Sequence, residues 1–222
     1  MDFYKKISPV FGGKKYLIPP PTLCPDCRQQ RRLSFHNERK LYKRLCDGTG
    51  KDIISIYSPD KSYTVYHQDY WWSDAWDPLK YGREFDVRKS FFDQWKDYSD
   101  LIPRQALIAK DCENSEYVNF VWKVKSSYLI SAASFDEDCY YGNRVTKSKN
   151  CVDTFLIKEC ENCYECIDAF NSYNCHFSQN IYSCRDWEYL YDCEGCELCF
   201  LCAWLKNKKY CIKNMVQAET TD

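Results

Sequence analysis

The sequence predicts a mainly β protein, in which a small zinc-ribbon-like α+β head precedes a right-handed parallel β-solenoid. Sixteen of the 222 residues are cysteine. The last thirteen, from Cys112 to Cys211, are separated by 3, 9, 12 or 27 residues, always a multiple of three. A twelve-residue repeat runs through the same segment from Glu113 onward. Self-similarity at a fixed period is the sequence signature of a repeat architecture.

The repeat places small residues, mostly Cys, Ser, Ala, Val and Ile, at positions 3, 6, 9 and 12. Every third side chain is therefore predicted to point into a narrow coil, where cysteine packs as a compact apolar residue. Asn, Asp or Ser at position 2 suits corners, because these residues tolerate left-handed backbone. Tyr and Phe at position 4 predict an outer ladder. The twelve-residue coil is similar to the repeat of insect antifreeze solenoids. A coil of twenty-four stays open, because Trp187, Leu190 and Leu205 fit poorly into the narrower one.

Three interpretations compete for the repeat cysteines. Packing is favoured, because Ser, Ala and Val occupy the same columns. Metal binding is the second, since two runs have C-x2-C spacing, which is typical of zinc knuckles. These runs are Cys160/Cys163/Cys166 and Cys193/Cys196/Cys199/Cys202. Redox chemistry is the third, for pairs six residues apart such as Cys160 and Cys166. The first residues lack an apolar signal segment, so we expect a cytoplasmic protein with reduced thiols.

The positions of proline and glycine, together with the composition, divide the chain into a head (residues 1–104), a solenoid (105–214) and a tail (215–222). Residues 28–44 lack Gly and Pro and predict a basic helix. Residues 53–57 and 63–66 predict a β-hairpin around a Ser-Pro-Asp-Lys turn. A short amphipathic helix is predicted over residues 88–98. The remaining prediction for the head is that its aromatic cluster, with Trp71, Trp72 and Trp76, belongs to the core, and the alternative is a platform on which a ligand stacks.

Charge is unevenly spread along the chain. Residues 1–46 contain 11 basic and 3 acidic residues, a net charge of +8, and the remainder carries −9. This asymmetry indicates contact with a polyanion such as RNA, and the alternative is a solvated helix face. The candidate contact residues are Arg28, Arg31, Arg32, Arg39, Lys40, Lys43 and Arg44. No apolar run approaches 18 residues, so no membrane partner is expected.

Cys24-Pro25-Asp26-Cys27 has the spacing of half a zinc ribbon. A closed zinc site needs four ligands. The only other thiols or imidazoles before residue 112 are Cys46, His36 and His67. A zinc site of Cys24, Cys27, Cys46 and His67 is predicted from the sequence, with irregular spacing, and the alternative is that Cys24 and Cys27 are two structural thiols near a turn.

Five blocks of the chain resemble an uncharacterised family of zinc-ribbon proteins with Cys-rich repeats from candidate-phyla bacteria. These blocks are PPPTLCPDCRQQRRLSF, NERKLYKRLC, GKDIISIYSPDK, WWSDAWDPLKYG and the NCYECID-type repeats. The resemblance implies two zinc ribbons, with C-x2-C knuckles at residues 46/49 and 67/70 and one more before DFYKK. This chain lacks that additional knuckle and has Thr49 and Tyr70 in place of thiolates. The resemblance implies no activity.

A catalytic role has little support in the sequence, because none of the three histidines lies in a recognised catalytic motif. The function we expect is non-catalytic binding of RNA or another polyanion by the basic head, with the solenoid as a rigid scaffold. Two alternatives stay open. One is a scaffold that docks a protein partner on the solenoid face, and the other is a metal-handling or enzymatic protein that uses solenoid cysteines.

Overall fold

The computed structural model describes residues 2–35, 37 and 39–217. The chain divides into two compact units, Met1–Asn37 and Glu38–Asp222. Strands make up 36% of the chain and helices 16%, and a parallel β-solenoid of about nine turns covers residues 109–212. The predicted mainly β class with a parallel solenoid is therefore confirmed. The zinc-ribbon nature of the head and the hand of the coil stay predictions.

The described residues of the first unit form four short elements. These are α1 (Asp2–Ile7), β1 (Val10–Phe11), β2 (Lys14–Lys15) and α2 (Pro25–Leu33). Strands β1 and β2 form an antiparallel pair around Gly12 and Gly13, whose positive φ angles close the turn. Pro25 suits the first position of α2, where its missing N–H is not needed. Arg31 and Arg32 lie in the last turn, where cations oppose the helix dipole.

The prediction of one basic helix over residues 28–44 is wrong in its second half. Helix α2 ends at Leu33, and strand β3 (Tyr42–Leu45) follows in the second unit. Strand β3 pairs antiparallel with β4 (Asp52–Ser55). Tyr42 and Arg44 are half-buried and their neighbours are exposed. This period of two fits a strand, and it overrides the imperfect helical spacing of the leucines.

The predicted hairpin of residues 53–57 with 63–66 is also wrong in its pairing. The turn itself forms, since the Lys61 N–H donates to the Ser58 carbonyl at 3.2 Å. Strand β4, however, pairs with β3 on one side, and just beyond it the Ile56 N–H donates to the Ala106 carbonyl at 2.9 Å. Strand β5 (Val65–Tyr66) instead pairs in parallel with β6 (Arg104–Gln105). A small core of Cys46, Ile53, Val65 and Ala106 joins these strands.

Three short helices lie between β5 and β6. They are α3 (Gln68–Trp71), a 3-10 helix (Pro78–Tyr81) and α4 (Phe91–Leu101). The predicted amphipathic helix is present as α4, shifted three residues toward the C-terminus. Trp71 and Trp76 are half-buried, with ring centroids 4.8 Å apart. The core prediction is wrong for Trp72, which is 75% exposed.

The solenoid begins shortly after the small core of the head. Its strands are β7 (Ala109–Lys110), β8 (Asn119–Trp122), β9 (Ser131–Ser134), β10 (Asn143–Thr146), β11 (Phe155–Lys158), β12 (Ile167–Phe170), β13 (Tyr173–His176), β14 (Gln179–Tyr182), β15 (Arg185–Glu194), β16 (Phe200–Ala203) and β17 (Cys211–Ile212). Strand β18 (Met215–Val216) folds back antiparallel on β17. The segment assigned to the tail therefore begins with a strand that covers the last coil.

Strand register shows that each coil contains twelve residues. Asn143 pairs with Phe155, and Ile157 pairs with Ala169, always in parallel and twelve residues apart. The twenty-four-residue alternative is thereby excluded for the described coils. The expectation that large residues fit poorly is wrong for Trp187 and Leu190, which are 3% and 2% exposed. Trp187 pairs in register with Cys175, and Cys199 follows in the same column one coil later, so small neighbours leave room for the indole.

The backbone of the solenoid repeats every three residues. One residue of each triplet points inward, and the second residue after it has a left-handed φ of about +50° to +60°. Corner N–H groups donate to the preceding coil, as Ser126 does to the Glu113 carbonyl at 2.9 Å. The predicted Asn and Asp corners, such as Asn150, adopt this conformation. Phe135 and Lys147 adopt it as well, although bulky residues disfavour it.

The side chain of Gln68, in the head, covers the edge of the first solenoid strand. The amide of Gln68 accepts the Ala109 N–H at 2.8 Å and donates to the Ala109 carbonyl. Ala109 belongs to β7, the first solenoid strand, so this pair of bonds satisfies an edge that would otherwise stay open. Head residues from Arg39 onward and the first coils therefore form one continuous body.

Candidate functional site

The solenoid thiols lie in the core. Twelve of the thirteen are buried, Cys112 is half-buried, and all sixteen cysteines of the chain are free thiols. Their sulfurs point at backbone carbonyls, as in Cys151, which lies 3.2 Å from the Lys149 oxygen and 3.7 Å from the Cys160 oxygen. Burial raises the pKa of the Cys184 thiol to about 11 and that of Cys199 to about 12. Neutral, inaccessible thiols are poor nucleophiles.

Serine takes the same place as cysteine in these columns. The Ser127 hydroxyl donates to the carbonyl two residues earlier, Lys125, at 2.9 Å. One coil later in the same column, the Cys139 thiol lies 3.4 Å from the Glu137 carbonyl, again two residues earlier. Both side chains are small and both donate to the same backbone position. This equivalence supports the packing interpretation of the cysteine register.

The C-x2-C segment of the head lies at the start of α2. The Cys24 sulfur accepts the Cys27 N–H at 3.3 Å and caps the helix, and both thiols are exposed. Hydrogen bonds from Cys27, first from its backbone N–H, lower the pKa of Cys24. A thiol at a helix N-terminus is more easily ionised, which favours both metal ligation and nucleophilic reactions. This pair belongs to the first unit.

Cys46 and His67 belong to the second unit and lie close together. The buried Cys46 sulfur accepts the His67 backbone N–H at 3.2 Å. Burial raises the pKa of the Cys46 thiol. Hydrogen bonds from the His67 N–H and from Thr49 and Gly48 lower it, and together they outweigh burial, so the net shift of the pKa is downward. The His67 Nδ1 accepts the Asp69 N–H at 3.3 Å. The imidazole is thus already used to cap α3.

The residues around Cys46 fit a four-ligand zinc site only in part. Thr49 stands at the second knuckle position, where its neutral hydroxyl donates to the Cys46 sulfur. The Tyr70 ring lies against Gly48 and packs on Tyr66 with centroids 4.9 Å apart, so a phenol fills the remaining position. Neither group is a usual zinc ligand. Among the described residues, no group of three or more His, Cys, Asp and Glu side chains is arranged to hold a metal.

Zinc bound by Cys24, Cys27, Cys46 and His67 therefore stays a prediction. The two cysteines of the first pair lie in Met1–Asn37, and Cys46 and His67 lie in the second unit. The further candidate His36 is outside the described residues.

The basic residues of the head are also divided between the units. Arg28, Arg31 and Arg32 lie on α2, where Arg31 and Arg32 are exposed and Arg28 is half-buried. Arg39, Lys40 and Lys43 are exposed in the second unit. Among described residues, no ion pair involves Arg28, Arg31, Arg32, Arg39 or Lys43.

Arg44 differs from Arg28, Arg31, Arg32, Arg39 and Lys43, for which the described residues provide no ion-pair partner. Its side chain is only 8% exposed and forms an ion pair with Asp47 at 3.2 Å. The same guanidinium donates to the Tyr63 carbonyl at 3.0 Å. Asp47 in turn accepts the Val65 N–H at 2.6 Å, so Arg44 helps to hold β5 beside the antiparallel pair of β3 and β4. Its geometry favours a structural role over contact with a ligand.

Two adjoining concavities lie where the head meets the first solenoid coils. The larger, a cleft of about 630 Å³, is lined by Lys43, His67 and Cys112 but also by the acidic residues Asp52 and Glu116. The smaller, a groove of about 220 Å³, is lined by Arg39, Leu41, Tyr117, Asn119, Leu129, Ile130, Ser131, Tyr141 and Gly142. Tyr117 lines both, and the lining of the smaller groove includes no acidic residue among those that the structure describes.

The predicted outer ladder at position 4 is present in part. Tyr128 bridges Tyr140 in the next coil, and Tyr164 bridges His176. Position 5 adds aromatic rings that were not predicted from the sequence. Tyr117, Tyr128 and Tyr141 form one run with centroids 5.3 and 5.9 Å apart. A second run, farther along the solenoid, consists of Tyr164, Phe177, Tyr189 and Phe200.

Asp136 is a further residue that was not predicted from the sequence. It occupies an inward position and is 2% exposed. One carboxylate oxygen accepts the Ser148 N–H at 2.9 Å, and the other has no hydrogen-bond partner among the described residues. Burial raises its pKa to about 7. An acidic residue at position 12, where most repeats have a thiol or hydroxyl, was the signal available in the sequence.

No protein-family model matches the chain, and no curated protein is significantly similar to it. The family resemblance noted above therefore stays an expectation. Among the described helices, none combines the length and the apolar character needed to cross a membrane.

Proposed function

We propose that the chain is a non-catalytic binding protein whose basic head contacts RNA or another polyanion, with the solenoid as a rigid scaffold. The observation that carries the proposal is a difference in charge pairing between head and solenoid. Among the described residues, five solenoid lysines lie beside a glutamate of a neighbouring coil, as in Lys149 with Glu137 at 3.2 Å and Lys147 with Glu159 at 3.3 Å. The head cations Arg28, Arg31, Arg32, Arg39 and Lys43 have no such acidic partner among the described residues.

Cations without carboxylate partners are free to neutralise phosphates, and each neutralised phosphate releases condensed counterions. Binding should therefore weaken as salt rises, with a slope that reports the number of phosphates neutralised. Such interactions give affinity without sequence preference, so we expect binding that tolerates many sequences.

The test is fluorescence anisotropy of a labelled single-stranded RNA with the full chain between 50 and 300 mM salt. We expect a linear fall of log K with log salt. Replacing Arg28, Arg31 and Arg32 by Gln should reduce the slope by about 0.7 for each phosphate that is no longer neutralised. The matched control is the pair Lys125→Gln and Lys149→Gln, which removes solenoid cations that glutamates already neutralise. Binding that does not change with salt would contradict the proposal.

A second candidate function is a scaffold for a protein partner. The observation that favours it is the second aromatic run, in which Phe177 and Tyr189 stack at 5.0 Å and are 39% and 45% exposed. Aromatic side chains are enriched at protein interfaces. Native mass spectrometry of nuclease-treated protein, purified from its own cytosol, should then show one stoichiometric partner. Phe177→Ser with Tyr189→Ser should remove that partner, and its retention would exclude this face.

A further inference from the structure

We propose that the groove between Arg39 and the first tyrosine run, Tyr117, Tyr128 and Tyr141, binds unpaired bases of a single-stranded nucleic acid. This inference rests on the proposed function and deepens it, because it names the class of polyanion and the surface that binds its bases. Two features of the groove support it.

The first feature is the combination of a cation with aromatic rings, of which Tyr128 and Tyr141 are exposed and Tyr117 is half-buried. Arg39 has no ion-pair partner among the described residues, and it lines the groove together with Tyr117 and Tyr141. Tyr128 contacts both tyrosines, so the three rings form a continuous aromatic surface along the first coils. Proteins that bind single strands combine positive charge along the backbone with aromatic platforms for the bases. Duplexes keep their base faces inside and cannot use such platforms.

The second feature is that the fold does not require an aromatic residue at Tyr141. Its backbone is left-handed, with φ of +56°, a conformation that bulky residues disfavour. The side chain is 54% exposed, so little of its apolar surface is removed from water. The next two coils place Asp153 and Glu165 at the same position, in the same backbone conformation. The fold therefore does not require a tyrosine at this position, and the exposed part of the Tyr141 ring is available to a ligand.

Size and charge restrict what the groove accepts. Its volume of about 220 Å³ is below that of clefts for drug-sized ligands, about 300–1,000 Å³, and suits one heterocyclic ring. The adjoining cleft contains Asp52 and Glu116, which repel a phosphate backbone. The strand should therefore place a base against Tyr117 and Tyr141, with its phosphates toward Arg39 and away from the acidic cleft.

The experiment measures anisotropy of labelled U12, dT12 and a 12-base-pair RNA duplex with the full chain at fixed salt. Both single strands should bind at least ten-fold more tightly than the duplex. Tyr141→Leu should weaken single-strand binding about 5- to 150-fold, as expected for the loss of one stacked base. Tyr141→Phe keeps the ring and should retain binding. Arg39→Gln should lower the salt slope by about 0.7.

The chain provides a matched control in the second aromatic run. Tyr189→Leu changes the same position of the repeat four coils later, on a surface whose described residues include no head cation. It should alter binding less than two-fold, and circular dichroism should show equal folding of both leucine variants. Equal affinity for duplex and single strands, or unchanged binding by Tyr141→Leu, would overturn this inference and leave the basic-head proposal standing. If none of the three probes bound, both this inference and the basic-head proposal would be overturned.

Discussion

The solenoid and the first unit use cysteine in opposite ways. In the solenoid, twelve of thirteen thiols are buried and directed at backbone carbonyls. In the first unit, Cys24 and Cys27 are exposed at a helix start, and the pKa of Cys24 is lowered by hydrogen bonds from Cys27. The same residue type therefore packs a narrow coil in one region and offers reactive sulfur in the other. A high cysteine content does not by itself indicate which chemistry a protein uses.

The two regions also differ in how they are stabilised. The solenoid buries an inward residue at almost every third position, from Ser115 to Cys211. Among the described residues of the first unit, by contrast, no apolar side chain is buried, and Phe35 is 89% exposed. Units of fewer than about 40 residues usually depend on a metal, disulfides or a partner for stability. The first unit is therefore the part of the chain whose order is expected to depend most on a ligand.

The largest expected difference between the regions is in thiol reactivity. Native protein treated with an aromatic disulfide reagent at pH 8 should show two fast thiols, Cys24 and Cys27. The twelve buried solenoid thiols and the buried Cys46 should react only after unfolding, because burial blocks access to their sulfurs. In the solenoid, burial also raises the pKa of thiols, to about 11 for Cys184. Counting released reagent before and after guanidinium treatment measures both classes.

The control for this experiment is the double variant Cys24→Ser with Cys27→Ser, which should lose the fast phase. If the two exposed thiols react quickly only after a chelator is added, the predicted zinc is bound at this pair. Rapid reaction of more than three thiols in the folded protein would contradict the packing interpretation of the register.

The next largest effect concerns tryptophan, which occurs in both the head and the solenoid. Trp187→Ala should lower the free energy of unfolding by about 3–5 kcal/mol, because the indole is 3% exposed and its loss leaves a cavity in the coil. Trp72→Ala in the head should change it by less than about 0.5 kcal/mol, because Trp72 is 75% exposed. Equilibrium denaturation in urea measures both variants. Similar values for the two would show that the solenoid interior tolerates such a cavity.

The solenoid could be predicted from the sequence because its pattern repeats. Each coil places the same residue class at the same position, so every repeat indicates the same coil geometry. One departure from the pattern, such as Trp187 in a column of cysteines, does not hide the register. The sequence did not decide between coils of twelve and twenty-four residues, because the coil length depends on which strands pair. The structure shows the pairing, as in Asn143 with Phe155, twelve residues apart.

The head could be predicted less well, because each of its elements occurs once. The prediction of a basic helix was wrong beyond Leu33, because the pairing of β3 with β4 is a tertiary interaction that local helix propensity does not show. The site residues follow the same rule. The cations were visible as a run of charge, whereas the groove brings Arg39 together with Tyr117 and Tyr141, which are far from it in the sequence.

The smallest of the expected effects is a dependence of solenoid stability on pH through Asp136. Burial raises the pKa of its carboxyl group to about 7 in the folded protein, against about 3.9 in the unfolded chain. The folded state therefore binds more protons at Asp136 between pH 4 and 7, so the contribution of this residue to stability is most favourable below pH 4 and falls as pH rises toward 7. The shift corresponds to at most about 4 kcal/mol.

Asp136→Ser removes the charge and keeps the hydrogen bond. Serine already occupies this column at Ser148, whose hydroxyl accepts the Cys160 N–H at 3.3 Å, just as Asp136 accepts the Ser148 N–H. The variant should therefore be more stable than the native chain at pH 8, with a difference that shrinks as the pH is lowered to 5. Asp153→Ser, at an exposed corner, is the matched control. A constant difference between native chain and Asp136→Ser across this range would mean that the carboxylate is ionised in the folded solenoid, and that water or a cation reaches its unpartnered oxygen.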